Sequence, residues 1–253
     1  TQAVSMVEKA KAQGVPVISY DRLINSNKID LYISHQVPVI GRKMAEYALK
    51  KVPKGNYVLV YGASTDNNGM IMKKEQNAVL KDAVDKGDIK IVADQHAKDW
   101  KPDEALKIVE NALTQNSDKV DVVIASNDGT AGGAISALET KGLAGKVLVT
   151  GQDAEKAALQ RIAEGKQTMT VYKPITPLAT GAVDAAIKLA KKEEIESEAF
   201  ESEGVDGEIR ALLFEVIVVD KDNLQETVIK DGWATYDEVY KNVAEDKRPK
   251  KVE

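Results

Sequence analysis

The 253 residues contain no cysteine, which excludes a disulfide framework and a thiolate metal site at once. Histidine is nearly as scarce. His35 and His96 are the two, far apart and with no carboxylate or cysteine at ligand spacing, so neither a metal nor any other cofactor is expected. No apolar run approaches the length of a membrane span. No signal-peptide pattern opens the chain, and Thr1 in place of an initiator Met reads as a processed or trimmed product. The net charge of −5 is modest and evenly spread. There is no basic stripe, and the run Lys247 to Lys251, broken by Pro249, reads as a solvated tail, so no nucleic-acid partner is expected. No glycine-rich turn of the dinucleotide or P-loop type follows a strand, which argues against a phosphate site. The stretch Gly129-Thr130-Ala131-Gly132-Gly133 reads instead as close helix–sheet packing. With no Ser/His/Asp set either, the chain is not expected to be an enzyme.

What is present is a repeated pattern of apolar strands that stop at polar residues. Val122 to Ala125 is wholly apolar, ends in Ser126-Asn127-Asp128-Gly129, and is followed at once by a helix patterned at Ala131, Ile135 and Leu138. Val15 to Tyr20 runs into Asp21-Arg22, Tyr57 to Tyr61 into Gly62 and then Asp66-Asn67-Asn68, and Val147 to Thr150 into Gly151-Gln152-Asp153. Strands are also expected at Leu31–Ser34, Ile89–Ala93 and Thr168–Tyr172. Between them lie helices at Val4–Ala12, Ile40–Lys51, Ile71–Val84, after Pro102, and at Ala154–Ala163. Strands separated by helical crossovers predict an α/β fold with a doubly wound parallel sheet. Beyond Pro174 the pattern predicts a long helix Leu178–Lys192, a Glu-rich irregular stretch Glu193–Glu203, and one strand Ala211–Val219 before a short amphipathic tail.

In open α/β sheets ligands bind outside the carboxyl ends of the strands. The polar strand ends are therefore candidate ligand groups. Asp21 and Arg22 offer an acceptor beside a donor fork, Asn68 and Asn127 offer both kinds of group from one amide, Asp153 adds a carboxylate, Lys173 a point donor and Trp100 a flat apolar face. Vicinal hydroxyls each donate and accept, so this set matches a pyranose sugar. Each residue also has a plainer reading. Asp21, Asn127 and Asp153 are good helix N-caps, Arg22 a surface ion-pair partner, Trp100 a core residue or a helix staple beside Pro102, and Lys173 a solvated side chain. Independent caps do not explain why nearly every strand ends polar.

Several motifs carry a family resemblance. Tyr20-Asp21-Arg22-Leu23-Ile24-Asn25, Asp66-Asn67-Asn68, Ala125 to Ala134, Gly151-Gln152-Asp153-Ala154 and Gln167 to Thr176 resemble the ribose/galactose-type periplasmic sugar-binding proteins of bacterial ABC importers. The resemblance implies two doubly wound lobes joined by three crossovers, an N-lobe of residues 1–35 and 174–209 and a C-lobe of 36–173 and 210–253, closing on one sugar. It implies extracytoplasmic, non-enzymatic binding of an aldopyranose, D-xylose first among them, with Asp21 and Arg22 as N-lobe ligands and Asn68, Asn127 and Asp153 as C-lobe ligands. Trp100 would stack on a sugar face and Lys173 would contact the sugar near a crossover. The implied partners are an ABC permease or, alternatively, a membrane sensor histidine kinase; a repressor-like sugar-sensing core is a further reading. Relative to the family pattern the N-terminal part of the N-lobe is missing and Gln36-Val37 replaces a hinge Asp-Asn pair. Self-association, or a second chain completing the N-lobe, is expected on that account.

Overall fold

The structure is a computed structural model that describes residues 2–252. In chain order its elements are α1 (Gln2–Ala12), β1 (Ile18–Tyr20), β2 (Leu31–His35), α2 (Val37–Lys51), β3 (Gly55–Tyr61), α3 (Asn67–Asp85), β4 (Ile89–His96), α4 (Pro102–Gln115), β5 (Val122–Ala125), α5 (Asp128–Thr140), β6 (Leu148–Val149), α6 (Lys156–Ala163), β7 (Met169–Tyr172), α7 (Ile175–Lys191), β8 (Glu198–Phe200), β9 (Ile209–Phe214), β10 (Ile217–Asp220) and α8 (Tyr236–Tyr240). The chain divides into two compact units and passes between them at 37/38, 173/174 and 216/217.

The larger unit holds a parallel sheet ordered β4-β3-β5-β6. A parallel bridge from Gln152 to Val171 carries it on to β7, and β10 closes it antiparallel to β7. Alternation along the strands sends Val58, Val60, Val123 and Ala125 to one face, where they pack with Ile108, Val109 and Leu113 of α4 and Ala131, Ala134 and Leu138 of α5. A second cluster joins Leu159 and Tyr172 to Val219, Leu224 and Val228. Because every parallel strand needs a crossover helix, the carboxyl ends of β3 to β7 all reach the same rim.

The smaller unit holds a sheet ordered β1-β2-β9-β8, with β1, β2 and β9 parallel and β8 antiparallel. Leu31 and Ile33 of β2 pack with Leu178 and Ala185 of α7 and with Ile195. The other side of α7 is left in solvent, with Val183 60% and Ile187 47% exposed, and β1 is an edge strand.

Three sequence expectations change. The single strand Ala211–Val219 is two strands: β9 pairs with β2 in the smaller unit and β10 with β7 in the larger, with Glu215 and Val216 between them. Residues 210–216 accordingly join the smaller unit rather than the C-lobe. The apolar run is continuous because both halves are sheet strands, and only Glu215 marks the break. The Glu-rich stretch 193–203 is not wholly irregular, since β8 pairs there with β9. Finally, Gly133 serves helix–helix and not helix–sheet packing: a β-carbon on it would lie 2.0 Å from the Pro102 carbonyl oxygen at the start of α4.

Candidate functional site

Five of the seven candidate residues sit along the carboxyl rim of the larger unit. After β3, Asp66 caps α3 by accepting from the Asn68 backbone N–H at 3.0 Å. The Asn68 side-chain Oδ1 is buried and takes no hydrogen bond from the described residues. A buried carbonyl left this way costs free energy unless a ligand or water meets it.

After β4 the chain passes through two consecutive left-handed residues, Asp99 (φ 54°) and Trp100 (φ 60°). They lay the indole on Gly62, where a β-carbon would lie 2.1 Å from the ring. The indole N–H donates to Asp66 Oδ2 at 3.1 Å, and a ring nitrogen of His96 lies 2.7 Å from the Gly62 carbonyl oxygen. Trp100 is therefore half-buried and fixed at its polar edge rather than a core residue.

After β5, Asn127 caps α5 in a reciprocal box: its Oδ1 accepts from the Thr130 N–H at 2.8 Å, and Thr130 Oγ1 lies 3.2 Å from the Asn127 N–H. The plainer reading thus holds for Asn127, although the cap uses only the amide oxygen and leaves the Nδ2 donors. It does not hold for Asp153. Asp153 (φ 99°) and Ala154 (φ 49°) form a left-handed turn, and α6 begins only at Lys156. The Asp153 carboxylate instead meets Lys173 Nζ, at the end of β7, at 2.8 Å.

Asp21 and Arg22 end β1 in the smaller unit. No helix follows them, so Asp21 is not a cap either. Asp21 is left-handed (φ 62°) and anchored by its backbone: its N–H donates to the Ile33 carbonyl at 2.8 Å, and its carbonyl accepts from Ser34 Oγ at 2.8 Å and Tyr32 Oη at 3.2 Å. The Arg22 carbonyl accepts from Ser19 Oγ at 2.8 Å, and its side chain is exposed.

Sequence reasoning missed two residues at the rim of the larger unit. Asp128 is completely buried, and its acid group is pushed up to about 8 by burial, against donors that pull it down. Trp233 stacks on Tyr172 with centroids 5.7 Å apart and donates its indole N–H to the Ala154 carbonyl at 2.8 Å. It is therefore adjacent to the Asp153 turn, not remote in a tail as its sequence position implies. Among the described residues no group of three or more His, Asp or Glu side chains is placed to hold a metal ion, and no helix is long and apolar enough to cross a membrane.

Chemically, the larger unit's rim offers a carboxylate, an ammonium, two amides and a flat aromatic face. Such groups can meet the hydroxyls and the apolar face of a small polyhydroxylated molecule.

Comparison with known proteins bears on the family of the chain. A family profile described as periplasmic binding protein domain matches residues 1–194. A D-xylose-binding periplasmic protein of Haemophilus influenzae is 47% identical over 93% of this chain and 71% of its own length. The protein of the same name from Escherichia coli strain K12 is 47% identical over 90% and 69%. Among solved structures, a carbohydrate transporter solute binding protein from Chloroflexus aurantiacus in complex with D-glucose superposes with a TM-score of 0.87 at 28% identity, covering 94% of this chain and 78% of that one. An ABC transporter solute binding protein from Clostridium phytofermentans with bound β-D-glucose gives 0.83 at 28% identity, covering 93% and 78%. With its parallel sheets, its polar strand ends and these matches, the chain belongs to the periplasmic binding protein family.

Proposed function

We propose that this chain binds D-xylose outside the cytoplasm and delivers it to an ABC-type importer, with no chemistry of its own. The observation that carries the reading is the larger unit's rim, where Asn68, Trp100, Asn127, Asp153 and Lys173 come from successive parallel strand ends. Asp153 accepts and Lys173 donates, so adjacent hydroxyls replace or extend an existing donor–acceptor pair. The Asn68 Oδ1, buried without a partner among the described residues, accepts from a further hydroxyl, and the Trp100 face covers the C–H side of the ring. Asp21 and Arg22 complete the proposed ligand set. The 47% identity to two D-xylose-binding periplasmic proteins supports the choice of sugar. The edge strand β1 and the exposed Val183 and Ile187 support a further element of the proposal, association with a second chain at the smaller unit, readable by sedimentation velocity.

Calorimetric titration of the purified chain with D-xylose, L-arabinose, D-ribose and D-glucose tests the reading. Saturable one-to-one binding, tightest for D-xylose, is the expected result. Tighter binding of another sugar would overturn the choice of xylose, and absence of binding to all four would overturn the function.

A further inference from the structure

Asp153 stands in an unfavourable backbone conformation, and the reason it stays there lies in a residue without a ligand role of its own. Two successive positive-φ residues without glycine, Asp153 and Ala154, persist only where their surroundings over-determine them. Every residue of this turn is tethered. The Gln152 carbonyl accepts from the Asp128 N–H at 2.9 Å, the Asp153 N–H donates to the Val171 carbonyl at 2.9 Å, the Ala154 N–H donates to Thr170 Oγ1 at 3.3 Å, and the Glu155 N–H donates to Asp128 Oδ2 at 2.9 Å. Asp128 thus holds both ends of the turn.

Its carboxylate is held in turn. Oδ1 accepts from Gln167 Nε2 at 2.8 Å and Oδ2 accepts from Thr170 Oγ1 at 2.9 Å, so Thr170 touches both the turn and the carboxylate that clamps it. Arg161 donates to the Asp128 carbonyl at 2.8 Å and to Gln167 Oε1 at 3.0 Å, which fixes which end of the Gln167 amide faces Asp128. Gly151 leaves the space: a β-carbon there would lie 2.1 Å from Asp128 Oδ1. Asp128 also directly follows Asn127 and opens α5.

We propose that Asp128 is a positioning residue for sugar recognition, whose buried carboxyl group sets the Asp153 turn, and with it the Asp153 carboxylate, in the geometry that the ligand needs. The inference rests on the reading of Asp153 as a sugar ligand.

The test is a double-mutant cycle on affinity in the full chain, using D-xylose as the probe and working well below the melting temperature of each variant. Asp128→Asn keeps the shape but replaces one carboxyl oxygen, which can accept whether or not the acid holds its proton, with an NH2 group that cannot, so the contacts to Gln167, Thr170 and the Glu155 N–H can no longer all be made. Its Kd is expected to rise about tenfold, the ordinary size of coupling between residues in one hydrogen-bond network. In an Asp153→Asn background the same change should alter Kd less than about twofold, because the residue it positions has already lost its charge. Thr170→Val, which leaves the carboxylate in place, should reproduce the pattern and serves if Asp128→Asn does not fold. Amide chemical shifts of residues 152–155 should move in both variants, a readout that needs no sugar. A folded Asp128→Asn chain that binds within twofold of the parent overturns the inference, as does a penalty carried undiminished into the Asp153→Asn background. If the parent binds no sugar, the functional reading falls and this inference with it; if the parent binds and Asp128→Asn is neutral, only this inference falls.

Discussion

The Lys173 ammonium stands 2.8 Å from the Asp153 carboxylate, so two residues from different strand ends form a neutral pair at the larger unit's rim. Neither is spent on capping a helix. Asp153→Asn tolerates the positive φ better than Ala and removes the charge alone. A hydrogen bond to a charged group is worth about 1.5–3 kcal/mol, so D-xylose affinity should fall roughly tenfold to a hundredfold. The melting temperature of the sugar-free chain should change little, since a partly exposed ion pair contributes only about 0–1 kcal/mol. Calorimetry and a thermal melt on the same sample read both quantities, and a lowered melt with unchanged affinity would contradict the assignment.

Asn127 has two tasks that substitution separates. Asn127→Ala removes the cap of α5 and should cost about 0.5–2 kcal/mol of stability along with affinity. Asn127→Asp puts a carboxylate oxygen where the amide oxygen accepts from the Thr130 N–H, and loses the amide donors. Its melt should stay near that of the parent while its sugar affinity drops. Equal affinity in the parent and Asn127→Asp would leave Asn127 with the cap alone.

The place of Trp100 depends on an atom that Gly62 lacks. Gly62→Ala would put a methyl carbon 2.1 Å from the indole and displace the ring. We expect weaker D-xylose binding and loss of the fluorescence change on sugar addition. Trp233 donates to the Ala154 carbonyl, next to Asp153, so the experiment belongs in a Trp233→Phe background where a single indole reports. An unaltered sugar response in the Gly62→Ala, Trp233→Phe chain would show that Trp100 does not face the ligand.

Burial pushes the Asp128 acid up to about 8, whereas an unfolded aspartate titrates near 3.9. Between those values the folded chain holds a proton that the unfolded chain releases. This contribution to stability is therefore complete below about pH 4 and is lost as pH rises through about 8. Asp128→Asn cannot ionise, while Arg161, Asp153 and Glu155 around it are shared with the parent. From about pH 5 to about pH 9 the melting temperature of the parent should fall relative to that of the variant. A constant difference across that range would mean that Asp128 titrates normally.

The sequence made the strand ends legible because a period-2 apolar run that stops at Asp or Asn needs only a few neighbouring residues to be read. What holds those ends in place was not legible, because it depends on pairs far apart in the chain. Asp128 meets Glu155, Gln167 and Thr170, 27, 39 and 42 positions away, and Asp66 meets Trp100 34 positions away. The turn at Asp153–Ala154 carries no glycine to announce its positive φ. The division of Ala211–Val219 was hidden for a related reason. Periodicity reports that a strand is buried, but not which sheet buries it.

The last crossing at 216/217 also dictates an order of assembly during synthesis. As the chain leaves the ribosome, β3 to β7 and their helices emerge together, yet the cluster around Leu159 and Tyr172 lacks Val219, Leu224 and Val228 until more than forty further residues have been made. Until then β7 is an open edge and Tyr172 is uncovered on that side. The nascent larger unit thus carries an unpaired strand edge, the kind of surface that invites mispairing, until β10 arrives.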